Sequence, residues 1–366
     1  MDKKLGFGCM RLPMKGEEVD YDEFNKMIDY FMEQDFNYFD TAHGYINGKS
    51  EIAIRDCLSA RYPRESFVLT NKLTGSYFKT KEDIRPLFES QLKLTGVEYF
   101  DYYLMHSQGK NNYPHFQECE AYEIAQELKA EGKIKHVGIS FHDSADFLEN
   151  ILTEHPEIEI VQIQLNYADY NSASVQSRLC YEVCRKYGKD VLIMEPVKGG
   201  GLVNLPDDAK KVFDAINVGK NYSYASYAIR FAASFDGVFK VLSGMSNFEQ
   251  LKDNVDYMKE FEPLNDEEKG AIDKVTNILM GMGGIACTGC RYCVDGCPMG
   301  IKIPDLFSCY NAKKQFNDWN SGLYYSKATH ESGRPSDCIK CCQCVAVCPQ
   351  HLQIPDLLED VAKEFE

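Results

Sequence analysis

The C-terminal part of the chain carries an internal repeat of cysteines, and this repeat constrains the fold more than any other feature. The stretch CTGCRYCVDGCPMGIKIPDLF begins at Cys287, and CIKCCQCVAVCPQHLQIPDLL begins 51 residues later, at Cys338. Both copies have the spacing Cys-x2-Cys-x2-Cys-x3-Cys-Pro. This is the ligand spacing of four-iron clusters, in which three thiolates of a run bind one cluster and the fourth binds the other. The repeat therefore predicts two 4Fe-4S clusters.

The crossover rule divides the eight cysteines into two ligand sets. The first set is Cys287, Cys290, Cys293 and Cys348, and the second set is Cys338, Cys341, Cys344 and Cys297. Zinc is the alternative metal, but zinc sites are typically built from paired Cys-x2-Cys knuckles and not from triplets with a trailing Cys-Pro. Iron is therefore the preferred interpretation.

The two runs are 40 residues apart, from Pro298 to Asp337, which is far more than a compact bacterial ferredoxin has between its motifs. The intervening stretch PDLFSCYNAKKQFNDW has the apolar spacing of a helix. The tail thus resembles the mainly α-helical ferredoxin domains found within larger redox enzymes. We expect a large domain over residues 1–262, a connecting helix and glycine-rich hinge over 263–284, and a two-cluster domain over 285–366.

The first 260 residues alternate short β-branched or aromatic runs with longer amphipathic segments. Eight runs are predicted to be strands: GFGCM, NYFDT, SFVLTNK, FDYYLMH, IKHVGIS, IEIVQIQLN, DVLIMEP and VFKVLSG. Eight strand–helix units in about 250 residues predict a closed (β/α)8 TIM barrel, an α/β fold. A doubly wound open sheet is the alternative, but no GxGxxG motif opens a helix after the first strand.

Composition excludes several classes of partner. The 366 residues carry a net charge of -16, which argues against nucleic acid and against an anionic membrane surface. No apolar run approaches the roughly 18 residues that a bilayer requires, and the N-terminal stretch is too polar for a signal peptide. Since eight of the fifteen cysteines have ligand spacing, we expect a reducing, cytoplasmic location.

Four polar side chains fall at or just after the ends of three predicted strands, where the active sites of such barrels lie. They are Asp40, Tyr45, Lys72 and His106. A lysine ammonium lowers the pKa of a nearby tyrosine, an aspartate keeps that lysine charged, and a histidine can hold a carbonyl oxygen near the phenol. Each residue alone has an ordinary structural explanation, but together they form a device that protonates a carbonyl. Such a device needs a hydride, which implies a nicotinamide cofactor.

The same residues carry a family resemblance. GFGCMRLP, FDTAHGY, LTNK, YYLMHS, VGIS, VQIQLNY and SGMSNFEQLKDN together resemble an aldo-keto reductase over roughly residues 3–262. The resemblance implies that Asp40, Tyr45, Lys72 and His106 are the catalytic tetrad. Relatives that reduce carbon–carbon double bonds tend to carry a glutamate in place of the histidine, so His106 favours chemistry on a small-molecule carbonyl or alcohol.

The resemblance also implies a cofactor site. Ser140 and Gln162 would hold the nicotinamide carboxamide, and the loops around KGGGL and SGMSNFEQLKDN would bind the pyrophosphate and adenosine end. The remaining cofactor candidates are Met194, Gly199, Gly244, Asn247, Gln250 and Asn254. Met194 stands where many relatives have an aromatic ring, and Gln250 stands where an arginine often reads the 2'-phosphate. The choice between NADH and NADPH is therefore open.

The two halves of the chain pose a chemical mismatch, because a hydride carries two electrons and such clusters pass one at a time. Three interpretations remain: clusters that relay electrons to or from the barrel, clusters that only support the pocket, and an electron-carrier or redox-sensing protein with a barrel scaffold. A ferredoxin-type protein is one candidate partner. We expect five aromatic residues near the barrel mouth, namely Tyr77, Phe78, Tyr113, Phe141 and Tyr167. Since aldo-keto reductases close this mouth with a C-terminal segment, we also expect the tail to pack on the catalytic face.

Overall fold

Eight parallel strands close into a barrel in the computed structural model, which describes residues 3–282, 284–287, 289–294 and 296–366. Gly283 of the expected hinge lies outside the described residues. A two-stranded hairpin, β2 and β3, follows the first barrel strand. The strands are β1 Leu5–Gly8, β2 Met14–Lys15, β3 Glu18–Val19, β4 Tyr38–Asp40, β5 Val68–Leu73, β6 Phe100–Gln108, β7 Ile134–Phe141, β8 Ile160–Gln164, β9 Asp190–Met194 and β10 Val238–Ser243.

The order around the barrel is β1-β10-β9-β8-β7-β6-β5-β4, so that each barrel strand pairs with its neighbours in the chain and β1 closes the circle between β10 and β4. All eight predicted strands are confirmed, and the open-sheet alternative is wrong. Apolar side chains fill the interior of the barrel, which explains why the strands are nearly continuous apolar runs. They include Tyr38, Leu104, Ile160, Leu192 and Leu242, all buried.

Helices surround the barrel and form most of the tail. The barrel helices are α1 Tyr21–Glu33, α2 Lys49–Ile54, α3 Lys81–Thr95, α4 Tyr113–Glu118, α5 Ala121–Ala130, α6 Ala145–Glu154, α7 Ser177–Lys186, α8 Asp207–Ile216, α9 Tyr224–Ala233, α10 Phe248–Met258 and α11 Asp266–Gly281. The tail helices are α12 Ile303–Phe316, α13 Ser321–Thr329, α14 Gln343–Ala346 and α15 Ile354–Phe365. A π-helical turn lies at Arg55–Ser59, and 3-10 turns lie at Arg64–Ser66, Gly75–Tyr77, Lys198–Gly200 and Pro335–Asp337. No helix in these described ranges combines the length and the apolar character needed to cross a membrane.

The expected connecting helix is α11, and it packs against the outside of the barrel. Its apolar face, which includes Ile272 and Val275, shares a buried cluster with Phe213 of α8 and Tyr227 of α9. The tail then forms a smaller core of its own, built around Phe307 and the apolar face of α15. This tail core also includes Val175 of the barrel half, so the two halves of the chain pack against each other.

The tail docks on the loops at the C-terminal ends of the barrel strands. Buried Lys198, in the loop after β9, donates to Asp169 of the barrel at 2.7 Å and to Asp318 of the tail at 2.9 Å. Ser308 of α12 lies 2.9 Å from the hydroxyl oxygen of Ser172, in the loop after β8. The expectation that the tail packs on the catalytic face of the barrel is confirmed by these contacts.

Candidate active site and candidate cluster sites

Asp40, Tyr45 and Lys72 meet at the C-terminal end of the barrel. Lys72 is fully buried, and its Nζ donates to Asp40 Oδ1 at 2.6 Å and to the backbone oxygen of Thr41 at 2.9 Å. Nζ lies 3.2 Å from the Tyr45 hydroxyl oxygen. Neighbouring strands supply the pair, because β4 ends at Asp40 and β5 carries Lys72 one residue before its end.

His106 completes the group from the adjacent strand β6. Its ring is perpendicular to that of Tyr45, with the ring centroids 5.9 Å apart. Its Nδ1 lies 2.7 Å from the Thr74 hydroxyl oxygen, which leaves Nε2 as the nitrogen available to a ligand. The register of β6 shifts between Met105 and Gln108, and Ser107 has a φ of 56°. This irregularity lies directly after His106, at the end of the strand where bulges re-aim side chains.

Burial and charge set the protonation of the group. Burial raises the pKa of Tyr45, and Lys72 opposes this without reversing it. The expected lowering of the Tyr45 pKa by Lys72 is present, but the effect of burial is larger. Burial lowers the pKa of Lys72, yet Asp40 and Tyr45 outweigh that and raise it. Burial and the Lys72 charge hold the pKa of His106 well below its usual range. At neutral pH the site holds a protonated tyrosine, an ammonium and a neutral imidazole.

The turn that carries Tyr45 is held in place by hydrogen bonds to Glu51, a residue that the sequence analysis did not identify. Glu51 is fully buried on α2, and its Oε2 lies 2.7 Å from His43 Nδ1. Its Oε1 accepts from Asn71 Nδ2 at 2.8 Å, beside Lys72. A buried carboxylate with two such partners ties the loop after β4 to β5, so that Tyr45 and Lys72 are positioned together.

A cavity of about 340 Å3 opens above the tetrad. Asp40, Tyr45 and His106 line it, and Lys72 lies beneath them. Five of the expected cofactor residues line the same cavity: Ser140, Gln162, Met194, Gly199 and Gly244. Catalytic and cofactor candidates from five strands and three loops therefore share one space, as an active site requires.

The other three cofactor candidates have structural partners and do not line this cavity. Asn247 caps α10 by accepting the Gln250 N–H at 2.9 Å. The Gln250 side chain accepts the Ser246 N–H at 2.8 Å, one residue before the cap. Asn254 is buried and donates to Ser243 Oγ at 2.7 Å. These residues shape the loop after β10.

The tail supplies one wall of the cavity through Trp319, Asn320 and Leu323. Sequence reasoning placed the tail at this mouth but did not identify these residues. The five aromatic residues that were expected near the mouth do not line the cavity. Phe78, Tyr113, Phe141 and Tyr167 are buried in the core, and Tyr77 packs edge-on against His43. The aromatic wall is Trp319, the single tryptophan of the chain.

The eight repeat cysteines form two groups of four. Cys287, Cys290, Cys293 and Cys348 line one small cavity of the tail. Cys297, Cys338, Cys341 and Cys344 line another, together with Cys342, which has no place in the spacing rule. The structure therefore brings the cysteines together in the crossed arrangement that the spacing predicts. No disulfide joins any of the fifteen cysteines, all of which lie in the described part of the chain.

The first group lies beside a loop of the barrel, whereas the cavity of the second group is formed by described residues of the tail. A Cβ at Gly289, between two cysteines of the first group, would lie 3.6 Å from Ala173 in the loop after β8. The cavity of the second group is lined by tail residues alone. Of the two candidate cluster sites, the first is therefore the one seen beside a loop at the C-terminal end of the barrel.

Family models match both halves of the chain. The model of the aldo/keto reductase family matches residues 4–277. The model of the 4Fe-4S dicluster domain matches residues 286–352. The first match ends inside α11, and eight residues separate it from the second.

Individual relatives agree with the first match. The NADH-specific methylglyoxal reductase of Escherichia coli (strain K12) is 30% identical over 182 residues, which are 45% of this chain and 53% of that protein. The chain thus spans about half the length of this relative. An oxidoreductase of Bacillus subtilis (strain 168) is 23% identical over 284 residues, 69% of this chain and 86% of its own length.

Solved structures show the same fold. An aldo-keto reductase from Bacillus halodurans, in its holo form, superposes with a TM-score of 0.59 and 26% identity over 74% of this chain and 91% of its own. An aldo-keto reductase from Klebsiella pneumoniae in complex with NADPH gives a TM-score of 0.62 and 19% identity, covering 75% of this chain and 95% of its own. Together with the tetrad geometry and the two family matches, these likenesses identify the chain as a member of the aldo/keto reductase family that continues into a 4Fe-4S dicluster domain.

Proposed function

We propose that this protein interconverts a small-molecule carbonyl compound and its alcohol with a nicotinamide cofactor. The observation that carries the proposal is the contact of Lys72 Nζ with both Asp40 and the Tyr45 hydroxyl at the floor of the cavity. The cavity fits the cofactor, since Ser140 and Gln162 offer polar groups at its wall and Gly199 and Gly244 leave room beside it. The nicotinamide, when bound there, supplies the hydride.

Tyr45 is the proton donor of this reaction. Because burial keeps its phenol protonated at neutral pH, Tyr45 can give that proton to the carbonyl oxygen as the oxygen gains charge. The Lys72 ammonium, 3.2 Å from the hydroxyl oxygen, stabilises the phenolate that remains. Asp40 keeps Lys72 charged. In the reverse direction the phenolate accepts the proton of the alcohol.

His106 orients the carbonyl. Its pKa lies well below the usual range, so the imidazole is neutral at physiological pH. If the Thr74 hydroxyl donates to Nδ1, the proton of the ring is on Nε2, where it can donate to the carbonyl oxygen. A neutral donor holds the substrate oxygen near Tyr45 without competing with it as an acid.

We propose NADH as the preferred cofactor. The side chain at the position of the expected phosphate-reading arginine is Gln250, a neutral amide that already accepts the Ser246 N–H. A 2'-phosphate gains most from a cationic, bidentate partner, which an amide does not provide. The methylglyoxal reductase relative is named as NADH-specific, which supports the same choice. The ratio of kcat/KM for NADH and NADPH with one aldehyde tests it, and a preference for NADPH would refute it.

The Tyr45→Phe variant tests the main proposal. We expect turnover of an aldehyde to fall by about 10²–10⁴-fold, because the variant lacks only the proton-transfer group. Cofactor affinity, followed by Trp319 fluorescence, should change by no more than a few-fold. Tyr77→Phe is the matched control, since Tyr77 is a nearby tyrosine outside the cavity. Full activity of Tyr45→Phe would contradict the proposal.

We further propose that the eight cysteines bind two 4Fe-4S clusters and that the clusters shape the pocket. The thiol donor sets fit such clusters, which exchange single electrons when present. The wall formed by Trp319, Asn320 and Leu323 supports the shaping role, because it belongs to the domain that the clusters would hold together. Anaerobic mixing with NADH separates the interpretations: unchanged cluster absorbance agrees with shaping, and bleaching would favour electron relay.

A further inference from the structure

A second cavity, of about 600 Å3, lies between the barrel and the tail. Its barrel side is formed by the loops that follow β7 and β8, and its tail side by the first cysteine loop and α13. His142 lines both this cavity and the catalytic one, so the two spaces share a wall. The carbonyl reaction proposed above uses none of the other residues of this cavity.

Lys327 of α13 lines this second cavity, and Asp143 is the acidic group that acts on its charge. The residue is 8% exposed, and its Nζ has no hydrogen-bond partner among the described residues. A Cβ at Gly109 would lie 2.4 Å from Nζ, so glycine at this position leaves room for the ammonium group. Burial lowers the pKa of Lys327 to about 8, with Asp143 opposing. A buried ammonium without a partner is costly, so a missing partner is expected.

The other charged groups of the cavity are largely paired. Arg291 lies 3.0 Å from Asp305, and Arg178 lies 2.7 Å from Glu182. Asp143 accepts backbone N–H groups from Lys110 and Ser144 at 2.9 and 2.7 Å. Lys327 is therefore the buried cation of this cavity that lacks a hydrogen-bond partner among the described residues, whereas Asp305 Oδ2, which also lacks one, lies 3.0 Å from Arg291.

The neighbours of Lys327 add no second charge. Burial and the Lys327 charge lower the pKa of His142 to about 3, so this imidazole is neutral. The Tyr324 hydroxyl donates to Gln164 Oε1 at 3.0 Å and lies 3.4 Å from His142 Nδ1. The positive charge of the inner part of the cavity is concentrated on one ammonium.

We propose that the second cavity binds a small anion, a carboxylate or phosphate group, with Lys327 as its buried partner. A charge-assisted hydrogen bond from Nζ to such an oxygen is shorter and stronger than a neutral one. The anion has two possible sources, the acidic end of the substrate or a separate small anion. The site itself stands apart from the proposed function, whereas the substrate source rests on it.

Binding measurements test the site directly. Calorimetric titration of the cluster-loaded protein with benzoate and with inorganic phosphate should show binding that weakens at least 10-fold in Lys327→Met. Lys327→Gln serves as a second variant that keeps a polar end without the charge. Lys363→Met, an exposed lysine of α15 that pairs with Asp360, is the matched control and should bind as the wild type does. Equal affinity of the wild type and both Lys327 variants for both anions would overturn the proposal.

Kinetics with a matched pair of aldehydes separates the two sources. If the anion is part of the substrate, Lys327→Met should lower kcat/KM for 4-carboxybenzaldehyde at least 10-fold, mainly through KM, and leave benzaldehyde within a few-fold. If the anion is a separate ligand, the ratio between the aldehydes stays constant and phosphate binds equally well with benzaldehyde present. Anion binding that depends on Lys327 without turnover of either aldehyde would refute the proposed function and leave the anion site intact.

Discussion

The buried ion triad of Lys198, Asp169 and Asp318 allows a quantitative prediction about how the tail is held on the barrel. Nζ lies 2.7 Å from Asp169 Oδ1 and 2.9 Å from Asp318 Oδ2, and all three side chains are at most 6% exposed. Replacement of Lys198 by methionine fills a similar volume but removes the only positive charge of the triad. Two carboxylates are then left close together in the interface.

The cost can be estimated from what each carboxylate retains. Removing one partner of a buried ion pair costs about 3–5 kcal/mol. Asp169 keeps two amide donors, from Gln164 and Asn166, each at 2.8 Å. Asp318 keeps only the Asn320 N–H, on its other oxygen, at 3.0 Å. Because the Asp169 carboxylate keeps two amide hydrogen bonds, we expect the loss of stability to be at the lower end of that range, about 3 kcal/mol.

Trp319 makes the effect measurable at the interface itself. It is the only tryptophan, it follows Asp318 directly, and it lines the catalytic cavity. In a urea titration of Lys198→Met, the Trp319 fluorescence transition should move to lower urea than the transition seen by circular dichroism, which is dominated by the barrel. The double variant Lys198→Met/Asp318→Asn should recover part of the loss, since it removes one of the stranded charges.

Lys211→Met is the matched control. Lys211 also has an aspartate partner, Asp208 at 2.8 Å, but both side chains are more than 70% exposed, and such pairs contribute about 0–1 kcal/mol. If Lys198→Met were as stable as Lys211→Met, the triad would not hold the tail in place, and the reasoning from burial would be refuted.

Three further predictions concern the tail. Replacing Lys327 by methionine should raise stability by up to roughly 3 kcal/mol at pH 7, since the pKa is lowered from 10.5 to about 8. Since Lys327 binds its proton more tightly in the unfolded chain, the wild type pays the full cost in stability of the buried ammonium below about pH 8. That cost vanishes towards pH 10.5. A difference in unfolding temperature between wild type and variant that stays constant with pH would contradict this prediction. Trp319→Ala should raise KM for aromatic aldehydes about 10-fold and leave cofactor affinity unchanged, and unaltered KM would exclude Trp319 as a wall. Cys348→Ser should damage the cluster of the Cys287 loop and Cys297→Ser the other one, as followed by iron content and electron paramagnetic resonance; the opposite assignment would reject the crossover.

The barrel could be predicted because its signals are local. Each parallel strand is a short apolar run buried on both faces, and each is bounded by polar or glycine-containing turns. Asp40, Lys72 and His106 could be placed at one mouth because the C-terminal ends of all barrel strands face the same side. The boundaries of the domains and the roles of these residues stay predictions.

Other parts of the site depend on contacts that the sequence does not reveal. Trp319 lines the cavity only because the tail docks there, and docking depends on Lys198 and Asp318, which are 120 residues apart in the chain. The five expected aromatic residues do not line the cavity for a related reason, because four of them are buried in the core. The sequence indicated that Lys72 lowers the pKa of Tyr45, but it did not reveal how far the residue is buried. Burial raises that pKa and outweighs the effect of Lys72.

The arrangement of the tail bears on the mismatch between a hydride and one-electron clusters. The first cysteine group lies beside the barrel loop at Ala173, while the second group is enclosed by tail residues alone, so the two candidate clusters are not equivalent towards the catalytic cavity. The same domain supplies Trp319 to the catalytic cavity and Lys327 to the neighbouring one. We therefore expect a change that loosens the cluster loops to alter both cavities, even if no electron passes between cluster and substrate. Loss of activity on cluster removal is accordingly no evidence for electron relay, and only a change in cluster oxidation state on adding cofactor would be.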